Sequence, residues 1–204
     1  MELICTQRSP YARKARVCLI ELGLQDRVKL NLVNLDKSPP ELKKNNPFAK
    51  VPTLILDDGG AIFDSPLVCE YLDSLSGKPK LFPPIGPARW TAQRRHTLAN
   101  GILETLSMRR HEVRRPAGER SASEMLKQKG KGDAALAVIE SEAALLGSDE
   151  VTIGEIAIGC CLGYMDFRFA EEPWRGSCPT LAKWFDVFSK RKSMIETIPP
   201  PGGH

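Results

Sequence analysis

The chain has 204 residues, of which 42% are hydrophobic and 26% are charged, as in an ordinary globular protein with one large domain or two small ones. A formal net charge of +4 is far from that of a dedicated nucleic-acid binder, and no apolar run approaches the length of a membrane span. Because the sequence lacks a secretory signal, and its six cysteines have neither CxxC nor Cys/His ligand spacing, we expect a reduced, cytoplasmic protein without a metal site.

The first part of the chain alternates between strand and helix patterns. A strand, a helix, a second strand and a short helix are predicted over residues 2–6, 11–22, 28–35 and 36–44, in that order. Ser9 is the expected N-cap of the first helix and Pro10 its first residue, and Gly23 is expected to end it. A βαβ order of this kind implies a sheet that contains parallel strands.

A β-hairpin is predicted next. Two short apolar runs, 53–56 and 61–63, flank an Asp-Asp-Gly-Gly turn. Pro52 opens the first of these strands in a bend that suits a cis peptide bond, because proline has no N–H to donate. The same bend is expected to leave the backbone N–H and C=O of Val51 unpaired, so that an extended peptide could pair with them as an added strand.

The helix after the hairpin begins with an anion-binding pattern. Ser65 is the expected N-cap and Pro66 the first helical residue. The Ser65 hydroxyl and the first amides of the helix would bind an anion, and Asp64 adds a negative charge beside them. This patch suits a short peptide-like ligand with both a carboxylate and an ammonium group. The alternative is a plain ββα unit whose helix is merely capped.

Beyond a proline-rich linker at residues 77–88 the strand pattern largely disappears. Helical patterns run over 89–113, 122–146, 156–164 and 179–188, and a tail begins at 199. Thr152 and Glu155 have the spacing of a capping box, which opens the third of these helices. An all-helical second part is therefore predicted after a mixed-sheet first part.

Arginine is concentrated at the start of the helical part, where seven arginines lie between residues 94 and 120. Glutamates are interspersed among them and aromatic residues are sparse, so a solvated or salt-bridged helix face is the prediction. A phosphate-binding face is the rival interpretation, although it lacks a stacking platform for bases. A dimer interface, or a site for an anionic second substrate, is a further alternative.

Two motifs resemble a known family. The run Asn-Pro-x-x-Lys-Val-Pro-Thr-Leu, which begins at Asn46, and the later Asp-Ser-x-x-x-x-x-Tyr-Leu, which begins at Asp64, are similar to the glutathione-binding core of the glutathione S-transferases. The linker, the helical part and the capping box extend the resemblance over nearly the whole chain, although the family usually has Asp where Glu155 stands. The resemblance implies a thioredoxin-like domain at 1–76, a linker at 77–88 and an all-α domain at 89–204.

The resemblance also implies a glutathione site. In the family, the residue before the cis-proline, here Val51, pairs its backbone with the cysteinyl unit of glutathione. An acidic residue and a serine at the helix start, here Asp64 and Ser65, hold the γ-glutamyl end, although many relatives have Glu where Asp64 stands. Lys50 is either a ligand of the glycyl carboxylate or a solvated surface lysine.

Ser9 matches the position at which the family has a catalytic Ser or Cys. Its hydroxyl would stabilise the thiolate of glutathione by donating a hydrogen bond, helped by the positive end of the helix that begins at Pro10. The alternative is that Ser9 only caps this helix. A serine closes the mixed-disulfide route of the cysteine members, unless another cysteine such as Cys5, which we expect to be buried, takes part. Tyr11 is expected either to line the acceptor pocket or to pack in the core.

The predicted function is that of a glutathione S-transferase, in which the thiolate of glutathione attacks a small hydrophobic electrophile. Family analogy implies a homodimer that acts in detoxification, with no nucleic-acid or membrane partner. One alternative is a non-catalytic protein that keeps the fold for protein interaction. Another is a glutathione-dependent reductase or dehalogenase.

Overall fold

The N-terminal part of the protein is a small mixed β-sheet with helices. The structure, a computed structural model, describes residues 1–77 and 81–202. Within these residues the strands are β1 (Glu2–Cys5), β2 (Lys29–Leu32), β3 (Thr53–Ile55) and β4 (Ala61–Ile62), in the spatial order β2-β1-β3-β4. β2 is parallel to β1, β3 is antiparallel to β1, and β4 is antiparallel to β3. The helices of this part are α1 (Pro10–Glu21), α2 (Pro40–Asn45) and α3 (Ser65–Ser74). The predicted order of βαβ, short helix and ββα is confirmed.

The rest of the described chain is helical. Its helices are α4 (Pro87–Arg114), α5 (Ala122–Ser141), α6 (Ile153–Arg168), α7 (Pro179–Phe188) and α8 (Lys192–Glu196), with short 3₁₀ turns at Leu35–Lys37, Ala117–Glu119 and Ala143–Leu145. α4 packs along both α5 and α6, and the buried apolar residues of these helices belong to one continuous core. The predicted fold class, an α/β part followed by an all-α part, is confirmed.

Several helix ends differ from their predictions. α7 has the predicted bounds, whereas α5 ends at Ser141 because the chain tightens into a 3₁₀ turn over Ala143–Leu145. α6 begins at the capping box, as predicted, and continues to Arg168, beyond the apolar run. α8 is too short to produce a helical pattern that sequence analysis detects.

Helix α1 joins the two parts of the protein. It packs against α3 of the sheet part and against α6 and α8 of the helical part. Arg13 donates from Nε to Thr197 Oγ1 at 3.2 Å, and Glu21 accepts from Arg191 Nη2 at 2.8 Å. These contacts fix both ends of α1 against the helical part. Ser9, which precedes the first residue of α1, therefore lies beside the helical part.

The start of α3 differs from its prediction in one respect. Asp64, and not Ser65, is the N-cap: its backbone is extended (φ −85°, ψ −174°) and its carboxylate accepts a hydrogen bond from the Ser65 N–H. Ser65 is then the first helical residue and Pro66 the second. The predicted N-cap at Ser65 is therefore wrong, because an aspartate one residue earlier already satisfies a free amide of the first turn.

The predicted domain boundaries remain predictions. α3 ends at Ser74 and α4 begins at Pro87. Residues 78–80 of the predicted linker and residues 203–204 of the predicted tail lie outside the described residues. No helix in the described part of the chain has both the length and the apolar character needed to cross a membrane. All six cysteines are free thiols in the interior, and Cys5 on β1 is buried as expected.

Candidate active site

Ser9 caps the helix that the sequence predicted it to cap. Its Oγ accepts a hydrogen bond from the Ala12 N–H at 3.2 Å, and its own N–H donates to Thr6 Oγ1 at 3.1 Å. The side chain is only half-buried. A hydroxyl can accept from the backbone and donate its proton at the same time, so the capping contact leaves Ser9 able to donate to a ligand.

Ser9 and Tyr11 line the same cavity, which has a volume of about 550 Å³ and lies between the sheet part and the helical part. One wall is formed by residues 6–11, before and within α1, and by residues 32–36, at the end of β2 and after it. The opposite wall is formed by the C-terminal halves of α4 and α6 and by a residue of the tail; its members are Leu103, Ser107, Arg110, His111, Arg114, Tyr164, Arg168 and Pro200.

Tyr11 is half-buried beside Ser9. Burial raises its pKa strongly, and the nearby carboxylates of Glu104 and Asp64 raise it further. Its phenol therefore stays protonated at neutral pH, so it can take part in hydrogen bonds but does not serve as a base. Asp64, a residue of the predicted γ-glutamyl site, is therefore one of the charges that act on Tyr11.

Six of the seven arginines between residues 94 and 120 form two sets, and the seventh, Arg120, donates to the backbone carbonyl of Arg115. Those in the first set form ion pairs with glutamates, as the salt-bridged interpretation predicted; they are Arg94 with Glu142, Arg95 with Glu142 and Glu155, Arg109 with Glu172, and Arg115 with Glu112 and Glu119. Arg110 and Arg114 form the second set and line the cavity, together with Arg168 from α6. The same stretch of sequence therefore contributes both to the protein's internal ion pairs and to the candidate site.

The bend before β3 has the predicted geometry. The Val51–Pro52 peptide bond is cis. Within the described residues the Val51 N–H and C=O have no hydrogen-bond partner. Asn46 is buried and holds the bend, since its Nδ2 donates to Lys50 O at 3.0 Å and to Thr53 Oγ1 at 2.9 Å. Asn46 belongs to the motif that resembles the family, but no local pattern in the sequence indicates this positioning role.

Ser65 is the most unusual polar residue of the candidate site. It is 0% exposed, and its Oγ is buried without a hydrogen-bond partner in the described part of the chain. Burying a hydroxyl without a partner costs free energy, so such a group is a candidate for binding a ligand. A ligand with a carboxylate would supply an acceptor for this hydroxyl at the start of α3.

Asp64 is exposed where it caps α3, and Lys50 is exposed at the end of the bend. The edge-on contact between the rings of Phe48 and Phe63, whose centroids are 6.3 Å apart, brings the segment before the bend against the residue before Asp64. Lys50, Val51, Asp64 and Ser65 do not line the cavity that contains Ser9 and Tyr11. The predicted site residues therefore form two neighbouring groups.

Known protein families match both parts of the chain. The sequence models of the "Glutathione S-transferase, N-terminal domain" and the "Glutathione S-transferase, C-terminal domain" match residues 8–75 and 94–186, respectively. An uncharacterised GST-like protein, YibF of Escherichia coli (strain K12), is 31% identical over 203 residues, which cover 98% of this chain and 99% of YibF.

Solved structures of the family are also similar. A glutathione transferase family member from Pseudomonas fluorescens Pf-5, with bound glutathione, superimposes with a TM-score of 0.92 at 37% identity over 98% of each chain. A second structure from the same organism contains bound S-(propanoic acid)-glutathione; it has a TM-score of 0.88 at 36% identity over 98% of this chain and 100% of the other. A glutathione S-transferase from Methylobacillus flagellatus KT, with glutathione bound, has a TM-score of 0.90 at 32% identity over 98% of this chain and 99% of the other. The chain therefore belongs to the glutathione S-transferase family.

Proposed function

We propose that the protein is a glutathione transferase that binds glutathione at Val51, Asp64 and Ser65 and stabilises its thiolate at Ser9. The observation that carries this proposal is the Ser65 hydroxyl, which is buried without a partner in the described residues at the start of α3. Relatives that are 37% and 32% identical over almost the whole chain bind glutathione, which supports the same ligand here.

Each end of glutathione has a complementary group in this arrangement. The γ-glutamyl carboxylate accepts from the Ser65 hydroxyl at the start of α3, and the neighbouring ammonium group pairs with Asp64. The cysteinyl unit pairs with the free N–H and C=O of Val51 as a short added strand. Lys50 is exposed and long enough to meet the glycyl carboxylate in solvent.

Ser9 acts on the sulfur. A free thiol has a pKa of about 8.5 and is mostly protonated at neutral pH. A hydrogen bond from the Ser9 hydroxyl and the positive end of α1 both favour the thiolate, so they lower that pKa. The thiol proton leaves to solvent, and the sulfur then forms a bond with the electrophile. Ser9 is not itself the nucleophile.

The electrophile is proposed to occupy the cavity that Ser9 and Tyr11 line. The relative that holds S-(propanoic acid)-glutathione supports this, because the substituent on its sulfur needs space beside the thiolate position. In this chain the cavity of about 550 Å³ next to Ser9 offers such space. Its apolar residues, which include Leu103 and Val33, suit a small hydrophobic body.

A reductase is the less favoured candidate. That chemistry needs an accessible thiolate, and all six cysteines are buried. Burial raises the pKa of the Cys5 thiol to about 11 and that of Cys160 to about 11. These thiols are therefore protonated at neutral pH and poorly placed to attack a mixed disulfide.

Calorimetric titration of glutathione into the wild type, Ser65→Ala and Ser9→Ala tests the site. We expect the wild type to bind, Ser65→Ala to lose affinity by about tenfold or more, and Ser9→Ala to bind without the thiolate absorbance. Because the Ser65 hydroxyl has no partner in the described part of the free protein, Ser65→Ala should unfold at the same urea concentration as the wild type or a higher one.

Turnover separates the alternative chemistries. We expect activity with a chloro-nitroaromatic substrate and little or none with a mixed disulfide. A wild type that fails to bind millimolar glutathione would favour the non-catalytic interaction protein. We further propose, from family analogy, a cytoplasmic homodimer that acts in detoxification; light scattering after gel filtration tests the dimer.

A further inference from the structure

The cavity beside Ser9 carries more positive charge than the proposed glutathione contacts use. Four arginines line it, and Asp36 is the one carboxylate among its lining residues in the described chain; the arginines are Arg8, Arg110, Arg114 and Arg168. The groups proposed to hold the charged ends of glutathione lie outside this lining. The proposed contacts with glutathione therefore do not use these arginines.

Arg110 and Arg114 differ from the other arginines of α4. Within the described residues neither side chain has a hydrogen bond or an ion pair, whereas Arg109 and Arg115, their neighbours in sequence, both pair with glutamates. They are four residues apart, so their side chains lie on the same face of α4. α4 ends at Arg114 and α6 ends at Arg168, so the cavity takes its positive charge from the C-terminal turns of two helices.

The arginines are close enough to repel one another. Burial lowers the pKa of Arg168, and the charge of Arg110 lowers it further, with smaller effects from Arg8 and Arg114. Bringing like charges together costs free energy that a bound anion would remove. The planar guanidinium of an arginine also matches the geometry of a carboxylate.

We propose that the electrophilic substrate carries a carboxylate, which Arg110 and Arg114 bind together with Arg168. This inference rests on the proposed function and specifies its substrate class. The carboxylate lies at the ends of α4 and α6, and the short apolar body of the substrate lies along Leu103 towards Ser9. An α,β-unsaturated carboxylate such as acrylate is the simplest member of this class.

The reaction with such a substrate balances without an additional reagent. The thiolate sulfur adds to the β-carbon, so that a C–S bond forms and the π-electron pair moves to the α-carbon. The resulting enolate takes a proton from water, and there is no leaving group. Because negative charge grows next to a carboxylate in this step, the arginines stabilise the transition state more than the ground state.

Binding of two conjugates tests the inference: S-(2-carboxyethyl)glutathione and its primary amide, which have nearly the same shape but differ in charge. We expect the wild type to bind the carboxylate about tenfold more tightly than the amide, and Arg110→Gln and Arg114→Gln each to reduce this ratio at least threefold. Arg115→Gln is the matched control, because Arg115 lies beside Arg114 but pairs with glutamates outside the cavity lining. The Arg115→Gln variant should keep the wild-type ratio of affinities for the acid and the amide.

The outcomes distinguish this inference from the proposed function. If glutathione itself does not bind the wild type, both fail. If glutathione binds but the acid and the amide bind equally, or if the ratio is the same in Arg110→Gln and Arg114→Gln as in the wild type, only the carboxylate inference is overturned.

Turnover provides a second test. The rate acceleration, which is the catalysed rate divided by the uncatalysed rate, should be larger for acrylate than for acrylamide. Arg110→Gln should reduce this difference between the two substrates. If Arg110 had only a structural role, Arg110→Gln would lower the catalysed rates with acrylate and with acrylamide by the same factor.

Discussion

Lys14 Nζ lies 2.6 Å from His96 Nε2, which joins α1 to α4 in the interior of the protein. Both side chains are buried, and Lys14 also donates to Asn100 Oδ1 at 2.8 Å. Burial and the charge of Lys14 lower the pKa of His96 to about 3, so His96 is neutral and its Nε2 accepts the hydrogen bond. This contact connects the sheet part to the helical part.

The protein should lose stability in mild acid because of His96. Its pKa is about 3 in the folded state but about 6.5 in the unfolded chain, so the unfolded state binds a proton first as the pH falls. The stabilisation is complete above pH 6.5 and is lost towards pH 3, by at most about 1.4 kcal/mol per pH unit. Urea unfolding at pH 7.5, 6 and 5 measures this loss.

His96→Gln is the control for this pH dependence. Its amide oxygen still accepts from Lys14 but does not titrate in this range. The variant should therefore lose less stability between pH 7.5 and 5 than the wild type. Burial also lowers the pKa of Lys14, which acts in the same direction in both proteins. An equal loss in the two proteins would contradict the assignment to His96.

Ser9→Ala and Ser121→Ala should separate catalysis from helix capping. Each removes a serine N-cap with the same geometry, since Ser121 Oγ accepts from the Glu124 N–H at 3.2 Å, as Ser9 Oγ does from Ala12. Both variants should lose about 1 kcal/mol of stability. Only Ser9→Ala should lose thiolate absorbance and turnover, the latter by about 100-fold, the typical effect of removing a hydrogen bond to a reacting anion. Similar turnover in the two variants would leave Ser9 with a capping role alone.

Glu155 should contribute more to stability than its capping role requires. Its Oε2 accepts from the Thr152 N–H at 2.9 Å, and its Oε1 accepts from Arg95 Nη1 at 2.8 Å in a buried ion pair. Removing one partner of such a pair typically costs about 3–5 kcal/mol, whereas losing an N-cap side chain costs about 1 kcal/mol. Glu155→Gln should therefore destabilise the protein more than Thr152→Ala in urea unfolding. Equal losses of stability in the two variants would mean that the ion pair between Glu155 and Arg95 contributes nothing to the stability of the fold.

Two glycines inside helices should respond in opposite ways to alanine. A Cβ at Gly159 of α6 would overlap the ring of Phe188, whereas a Cβ at Gly130 of α5 would meet nothing within 4 Å. Gly159→Ala should destabilise the protein by about 1–3 kcal/mol, because the packed ring must move. Gly130→Ala should stabilise it by about 0.5–1 kcal/mol through helix propensity. Thermal unfolding of the two variants provides the comparison, and destabilisation by Gly130→Ala would contradict it.

The features that the sequence predicted well depend on residues close together in the chain. The cap at Ser9 and the box formed by Thr152 and Glu155 involve contacts over three residues, and the cis bond at Val51–Pro52 is a property of one residue pair. The order of strands and helices follows from short periodic patterns. The motifs beginning at Asn46 and Asp64 were sufficient to indicate the family.

Only the tertiary structure decided which polar groups are paired. Arg109 pairs with Glu172 and Arg95 with Glu142, and these glutamates lie 63 and 47 residues away in sequence. The burial of Lys14 against His96 spans 82 residues. No local pattern distinguishes a paired arginine from Arg110, because long-range packing determines which charges meet. The sequence by itself therefore determined the elements and the family, whereas the tertiary structure decided which arginines line the cavity beside Ser9.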